Sequence, residues 1–491
     1  MFAKNESNKT ISAATSSNHK AKKKFKELAE QSLNKSLNKR KSTDIFTFNK
    51  MVKTFHQVLN TFPDTRTGTN TSVEIRDAAL GAFSLFFMQN PSFLDYQKSM
   101  QKTKGKNNAQ SLFGIYKILS DNHIRQLLDH VHPSYLFSMF SYILDGLDST
   151  GYIDEFRSYN HNLLIALDGT QYHSSQAIHC DNCSQTHHHN RSVTYSHSVL
   201  TPVIVKPGNN RVIALIPEFI TPQDGHQKQD CENNAAKRWI RTFGPKLREL
   251  RTTLTADDLY CKQPLCQLMR DEGLDFILVC KEDSHKTLYE YLDYLKEDIR
   301  TVEKRQWVAK RNKRDTYRFL NGLPLRDSED ALEVNWCELI STIENEHPEG
   351  KNEDKVIYKN AFVTNFEITE KNVEEIVADG RGRWKVENEN NNVLKTRGYH
   401  LEHNFGHGKK NLSALLLTLN ILAFLVHTVL DMMDENYQFL RRVLPSRMTF
   451  FSDLRALTRY IYFESWDQLI YFMLRGLEQK VTLSEPEQSG L

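Results

Sequence analysis

The 491-residue chain is poor in the residues that mark non-globular proteins. Its 20 Gly and 13 Pro are too few for a collagen-like or low-complexity chain, whereas 39% hydrophobic and 10% aromatic residues suffice for packed cores. At roughly 100–200 residues per domain, the length corresponds to about three structural units. The net charge is only +3, so the total charge does not indicate a nucleic-acid partner, and evidence for one has to come from the charge distribution.

The chain also lacks a secretory signal and a regular cysteine framework. Residues 1–26 are polar and lysine-rich, and the seven Cys are irregularly spaced. We therefore expect a cytoplasmic protein whose cysteines are reduced or metal-bound. One segment, Ala414 to Leu430, is strongly apolar, but it is shorter than the about 20 residues of a spanning helix and contains Asn420 and His427. It predicts a buried core helix and no membrane association.

The first third of the chain has a helical pattern. Residues 1–45 form a basic segment without periodicity, either a solvated tail or an arm that grips phosphates. Residues 46–155 predict a mostly helical domain, with helices over 48–62, 77–100 and 120–131. A basic, turn-prone stretch at 102–111 separates the second helix from the third.

From Asn162 the pattern changes to strands and helices in the order β-β-β-α-β-α-β. Asp168 follows the first predicted strand, 163–167, and Asp257 follows the fourth, 252–256. Strand-end carboxylates in one crevice, with a third acid from a helix, can hold two divalent ions about 3.5–4 Å apart. Oxygen ligands of this kind select Mg²⁺ or Mn²⁺. A lone aspartate at such a position is usually a turn or cap residue, but two of them in this order favour a metal site.

The remaining half of the chain returns to helices after a β-rich interval. Residues 288–305 predict a helix, and strand-like pieces follow up to about residue 368. Helices resume at Val373, and residues 450–476 predict an amphipathic helix. The fold class is therefore mixed α/β, with a β-rich insertion in its core.

This organisation resembles the RNase H-like catalytic core of the DDE transposases. The β-rich insertion before the last catalytic helix is similar to bacterial insertion-sequence transposases with a Tyr-Arg-Glu-Lys signature. The resemblance spans about residues 162–430. Four segments carry it: LLIALDGTQYHSS, KQDCENNAAKRW, LTADDLY and RGRWKVENENNNVLKTRGYHLEHNFGHG.

The resemblance implies a catalytic triad of Asp168, Asp257 and Glu387 that binds two Mg²⁺ or Mn²⁺ ions. Arg383, one helical turn before Glu387, would contact DNA phosphate. Three other acids remain open as alternatives: Asp258 for the second position, and Glu389 and Glu402 for the third.

Two positions depart from the signature. Its Tyr falls on Gly380, and its Lys falls on Leu394, next to Lys395. A residue eight positions further along an ideal helix is rotated by about 80°, so a helix irregularity is needed to bring Lys395 onto the Glu387 face. With that irregularity, Lys395 would join Arg383 in binding DNA phosphate.

The resemblance also implies a role for an aromatic residue of the insertion. In relatives that form a DNA hairpin, such a residue stacks on a flipped base. Trp336 is our candidate, and a core tryptophan is the competing interpretation.

A second group of residues indicates zinc. Cys180 and Cys183 form a CxxC pair, and a run of histidines follows in the same excursion between strands. We predict a structural Zn²⁺ site of Cys180, Cys183, His187 and His189. A histidine-rich surface loop without metal is the alternative.

Together these features predict a DDE transposase that cleaves and joins double-stranded DNA at transposon ends. The resemblance implies a homodimer in a synaptic complex and a nucleoid-associated protein of the bacterial cytoplasm. A catalytically inactive DNA-binding derivative and an RNase H-like nuclease are the alternatives. The predicted units are a tail (1–45), a helical DNA-binding domain (46–155), the first part of the core (156–285), the insertion (286–372), the final core helices (373–435) and a C-terminal helical region (436–491).

Overall fold

The computed structural model describes residues 47–67, 71, 73–222, 230–308, 311–344 and 355–477. The predicted tail at 1–45 and the polar C-terminal end lie outside these residues. The described chain has a mixed α/β fold, which confirms the predicted fold class.

From residue 47 onward, six α-helices precede the first strand of the described chain, as the helical pattern predicts. They are α1 (Phe48–Leu59), α2 (Ile75–Phe87), α3 (Phe93–Met100), α4 (Thr103–Phe113), α5 (Asp121–Leu128) and α6 (Phe137–Ser149).

The prediction of a turn at 102–111 is wrong, because α4 occupies it. Tertiary contacts stabilise this helix despite its polar sequence. Asn108 is buried and donates hydrogen bonds to the carbonyls of Thr458 and Ile461, both at 2.7 Å. It also accepts one from the amide of Phe463 at 2.9 Å.

The same hydrogen bonds explain a second difference. The predicted helix at 450–476 is two helices, α14 (Arg447–Tyr460) and α15 (Trp466–Gly476). The backbone groups freed between them are those that Asn108 satisfies.

The five predicted core strands lie side by side in a nine-stranded sheet, in the order β6-β5-β1-β8-β9. They are β1 (Leu163–Ala166), β5 (Val203–Val205), β6 (Ile213–Ala214), β8 (Thr252–Ala256) and β9 (Asp275–Val279). Strands β1, β8 and β9 are mutually parallel, whereas β5 pairs antiparallel with β1 and β6 antiparallel with β5. Helices α7 (Glu232–Glu249) and α8 (Gln263–Asp271) make the crossovers.

A second, small sheet has four strands that the sequence pattern does not reveal. The excursion between β1 and β5 supplies β2 (Gly169–Ser175), β3 (Ser184–His187) and β4 (Val193–Leu200), and β7 (Glu218–Ile220), which follows β6, pairs with β4. The continuous strand-like stretch of residues 192–206 is therefore divided between two sheets, with β4 in one and β5 in the other. The division falls at Pro202, which has no amide hydrogen to donate to a ladder.

The β-rich insertion extends the core sheet. Strand β13 (Lys355–Thr364) pairs antiparallel with β9, and it is followed outward by β12 (Glu333–Glu344), β11 (Arg311–Pro324) and β10 (Arg300–Val308). The helix predicted over 288–305 is shorter, because α9 spans Lys286–Tyr294 and residues from Arg300 onward pair with β11. Cross-strand pairing overrides the local helical pattern there.

The last helices close the molecule around one apolar element. They are α10 (Val373–Gly382), a π-helix (Val386–Asn391), α11 (Asn392–Thr396), α12 (Leu412–Met433) and α13 (Glu435–Val443). Among the described residues, α12 is the one helix long and apolar enough to cross a membrane, and 89% of its most apolar stretch is buried in the protein. This burial agrees with the predicted core helix, and residues of α1, α2, α14 and α15 share its hydrophobic core.

Candidate active site

Asp168 and Asp257 lie at the same edge of the central sheet. Strands β1 and β8 are adjacent and parallel, with Ala166 opposite Thr255, and each aspartate follows the carboxyl end of its strand. The Asp168 carbonyl accepts a hydrogen bond from the Thr201 amide at 2.9 Å, which fixes the chain as it leaves β1. Both carboxylates are partly exposed, so they face an accessible crevice.

Glu387 and Arg383 approach the same crevice from the helix after the insertion. Burial raises the pKa of Asp168 to about 6, and the Arg383 guanidinium opposes this rise. The negative charges of Glu232, Asp257 and Glu387 contribute to the same rise. Such coupling requires proximity. The structure therefore brings together the three predicted acids and Arg383.

The helix that carries Glu387 contains the irregularity that Lys395 needs. Residues Val386–Asn391 are π-helical, and a π-turn takes up one more residue than an α-turn. The eighth residue after Glu387 thereby returns to the face that the seventh would occupy in an ideal helix. Leu394 is fully buried, and Lys395 forms a 2.9 Å ion pair with Glu402.

Gly380, where the signature would have Tyr, has no room for a side chain. It is buried in α10, and a Cβ atom there would lie 2.6 Å from the Phe362 ring of β13. A tyrosine at this position would collide with the sheet. The extension of the sheet by the insertion strands therefore accounts for the glycine.

Glu232 is a fourth acid of the crevice that the sequence reasoning missed. It begins α7, and burial together with the charge of Asp257 raises its pKa. Its carboxylate accepts a hydrogen bond from the Tyr260 hydroxyl at 3.0 Å. A Cβ atom at Gly169 would collide with this carboxylate, so the Asp168-Gly169 pair permits the close approach. The available signal was its place in KQDCENNAAKRW, one of the four segments that carry the resemblance.

Asn391 was missed as well. Its amide nitrogen donates a hydrogen bond to Asp168 Oδ2 at 3.1 Å, and its Oδ1 accepts one from Thr201 Oγ1 at 2.9 Å. Because Asn391 is buried, this pair of bonds holds the carboxylate of Asp168 in one orientation. Nothing in the local spacing distinguishes Asn391 from its neighbours Asn390 and Asn392.

The alternative acid Asp258 faces away from the crevice. Its Oδ1 accepts a 2.7 Å hydrogen bond from the Lys281 amide and lies 3.3 Å from His285 Nε2. His285 in turn belongs to a buried group with Cys261 and Cys280. Asp258 is thereby engaged in packing between β8 and the segment after β9.

Trp336 does not offer a face to DNA. It lies in β12 and is only 2% exposed, with Arg318 over its ring at 5.9 Å. A flipped base cannot stack on a ring that is covered in this way. The geometry therefore favours the competing interpretation of a core tryptophan.

The CxxC pair takes part in a Cys/His group, but with other histidines than predicted. Ligand atoms of Cys180, Cys183, His197 and His407 all lie within 4.8 Å of one another. His187 and His189 are exposed and do not belong to this group, so their prediction as ligands is corrected. His187 ends β3 opposite Val193, and His189 lies in the turn that follows. Both are therefore at the far end of the β3–β4 hairpin, whereas His197 lies at the end beside the CxxC pair, where Ser184 pairs with Ser196.

One comparison with known proteins bears on this geometry. Residues 211–425 match the family model of the transposase DDE domain. The match contains Asp257, Arg383, Glu387 and Lys395, whereas Asp168 and the excursion up to β5 precede it. It supports a DDE transposase family and a transposase-type function. No curated protein matches the sequence.

Proposed function

We propose that this chain is a DNA transposase that cleaves the ends of a mobile element and joins them to a target by cut-and-paste transposition. One observation carries the proposal: acids from β1, β8 and the helix after the insertion converge on one crevice, with Arg383 beside them. Two of the three acids fall within the matched transposase domain. The branch with the Tyr-Arg-Glu-Lys signature is our specific assignment, with Gly380 as its departure.

The donor set fits divalent cations with a preference for oxygen. Asp168, Asp257 and Glu387 offer carboxylates, and burial together with the charges of the other two raises the pKa of Asp168. Two Mg²⁺ or Mn²⁺ ions at these carboxylates would supply Lewis-acid activation of a phosphodiester and of its attacking oxygen. Glu232 is the additional acid that could complete the set, because it faces the same crevice.

The chain's own residues would orient the DNA around this site. Asn391 holds Asp168, and the Arg383 guanidinium lies close enough to act on the Asp168 carboxyl. The cationic side chains of Arg383 and Lys395 would bind flanking phosphates. These contacts would position the scissile bond without reading the base sequence. Lys395 would exchange its exposed partner Glu402 for a phosphate.

The hairpin of β10 and β11 provides a surface suited to double-stranded DNA. Residues 300–318 contain eight Lys or Arg and two acidic residues. Trp307, near the end of β10, is 70% exposed and faces Asn312 across the ladder. A basic strand pair with an exposed aromatic ring combines phosphate binding with a stacking surface. We assign to Trp307 the base-stacking role considered for Trp336.

Transposition joins two element ends, so we propose that two copies of the chain act together in a synaptic complex. The helical region at 46–155 would contribute further DNA contacts. A bacterial protein of this kind would work on nucleoid DNA in the cytoplasm. The alternatives are an inactive DNA-binding derivative, suggested by Gly380, and an RNase H-like nuclease.

The test is cleavage of a labelled duplex that carries the element's own end, with Mg²⁺, Mn²⁺ or EDTA. We expect Asp168→Asn, Asp257→Asn and Glu387→Gln each to slow metal-dependent nicking by at least about 1,000-fold, because each removes a ligand worth several kcal/mol. Glu389→Gln, two residues from Glu387, is the matched control and should cleave normally. DNA binding, measured by gel shift, should survive in all four variants.

Other outcomes distinguish the alternatives. Normal cleavage by any triad variant removes that residue from the site. Binding by the wild type without cleavage under any metal favours the inactive derivative. Cleavage of RNA–DNA hybrids but not of the element's end favours the nuclease.

A further inference from the structure

We infer that Cys180, Cys183, His197 and His407 form a structural zinc site that ties the small sheet to the loop before α12. Thiolate and imidazole ligands in a Cys₂His₂ set are typical of tetrahedral zinc. This site is separate from the carboxylate crevice and does not depend on the proposed function.

The distances between the four ligand atoms fit one tetrahedral ion. With Zn–S bonds of about 2.3 Å and Zn–N bonds of about 2.0–2.1 Å, ligand atoms lie about 3.3–3.8 Å apart. Here the two Sγ atoms are 3.9 Å apart, and His197 Nε2 lies 3.5 Å from Cys180 Sγ and 3.4 Å from Cys183 Sγ. His407 Nε2 lies 3.4 Å from Cys183 Sγ and 3.1 Å from His197 Nε2.

The CxxC turn presents both sulfur atoms to one point. The Cys183 amide donates a hydrogen bond to the Cys180 carbonyl at 3.2 Å, and the Cys180 amide donates one to Cys183 Sγ at 3.4 Å. These bonds close a tight turn with both thiols on its inner side. A separation of 3.9 Å between the sulfurs is far longer than the about 2.05 Å of a disulfide.

His407 is oriented by its surroundings to coordinate through Nε2. Its Nδ1 lies 2.9 Å from the Gly408 carbonyl, to which it donates, so the Nε2 lone pair faces the sulfurs. Gly408 has a positive φ of 69°, and a Cβ atom there would meet the Asp129 carboxylate. The loop therefore requires this glycine next to the ligand.

The loop around His407 is fixed on two sides. Asp129 accepts hydrogen bonds from the amides of Lys409, Lys410 and Leu412 at 3.0–3.1 Å. On the other side, Asn182, inside the CxxC turn, donates to the Lys410 carbonyl at 2.9 Å. The four ligands are thus held together by contacts that do not involve the metal.

A zinc ion here would connect two segments that lead to the active site. The small sheet begins at Gly169, directly after Asp168, and the His407 loop follows the helix of Lys395. Without the ion, four convergent polar groups would be confined in a largely buried pocket. We therefore expect zinc to stabilise the small sheet against the remainder of the fold.

The experiment measures metal in the purified full chain and its variants by elemental analysis. We expect His197→Asn and His407→Asn each to lose one zinc ion per chain, with at least about 10-fold weaker affinity on titration. The double variant His187→Asn/His189→Asn is the matched control, and it should retain the zinc of the wild type. Zinc that survives His407→Asn, or that is lost in the control, overturns the assignment.

A second measurement on the wild type does not depend on whether a variant folds. Replacement of zinc by Co²⁺ should give thiolate-to-cobalt charge-transfer absorption together with the d–d bands of tetrahedral geometry. A chain that binds no cobalt, or that shows octahedral bands without thiolate absorption, contradicts the site. Either result is independent of DNA cleavage.

Discussion

The carboxylate crevice and the Cys/His group are both assembled from distant parts of the chain, but they differ in their ligand atoms and in their exposure. Each joins residues far apart in sequence: Asn391 bonds to Asp168 across 223 positions, and His407 meets Cys183 across 224. In the crevice, burial raises the pKa of Asp168 to about 6, and the neighbouring negative charges contribute to this rise. In the Cys/His group, ligand atoms lie within 4.8 Å of one another, and three of the four residues are buried.

This difference corresponds to the difference between the proposed catalytic site and the proposed structural site. A catalytic metal centre stays accessible to substrate, and its carboxylates repel one another when no cation is bound. A structural zinc centre is closed, and its ligands all come from the protein. The two centres are neighbours along the chain, since β2 starts beside Asp168 and contacts the strand of His197.

The first prediction concerns Asn391, a neutral residue that donates a hydrogen bond to Asp168 in the crevice. We expect Asn391→Ala to slow metal-dependent DNA cleavage about 10–100-fold, because Asp168 loses the donor that orients it. Zinc content should not change. The control is Asn392→Ala, the exposed neighbour, in the same cleavage assay. A variant with full activity would show that the bond from Asn391 does not orient the Asp168 carboxylate.

A smaller effect is expected on the free energy of unfolding, which should depend on pH through Asp168 when no magnesium or manganese is bound. The folded-state pKa of Asp168, about 6, exceeds the ordinary 3.8, so the folded chain binds more protons than the unfolded chain between these values. The free energy of unfolding contributed by this group therefore falls as the pH rises through that interval.

Asp168→Asn removes this dependence. From about pH 4.5 to about pH 7.5, denaturant unfolding should show the variant gaining about 1–2 kcal/mol relative to the wild type. Glu389→Gln, at a position outside the group of charges that shift Asp168, should follow the wild-type curve. Parallel curves for Asp168→Asn and the wild type would mean that the pKa of Asp168 is not raised in the folded chain.

The sequence predicted the parts of the site that depend on strand ends and local spacing. Asp168 and Asp257 follow buried apolar strands, and Glu387 stands four residues after Arg383, so each has a local signal. The helix irregularity that Lys395 needs is present in the structure as the π-helix. The core strands and the buried helix α12 could be predicted for the same reason, because each contains an apolar run.

Features decided by distant contacts could not be predicted. His407 joins the CxxC pair through a loop held by Asp129, and no spacing rule connects them. Helix α4 forms on a polar sequence because Asn108 bonds to the C-terminal helices. Strand β10 forms in a helical pattern because β11 supplies its partner. In each case a tertiary interaction overrides the local preference.

The central claim is that Asp168, Asp257 and Glu387 form one cation site. Anomalous scattering from crystals grown with Mn²⁺ tests it directly. The account predicts manganese peaks bounded by these three carboxylates, lost in Glu387→Gln and retained in Glu389→Gln. Manganese bound at other acids, with no peak in the crevice, would contradict it.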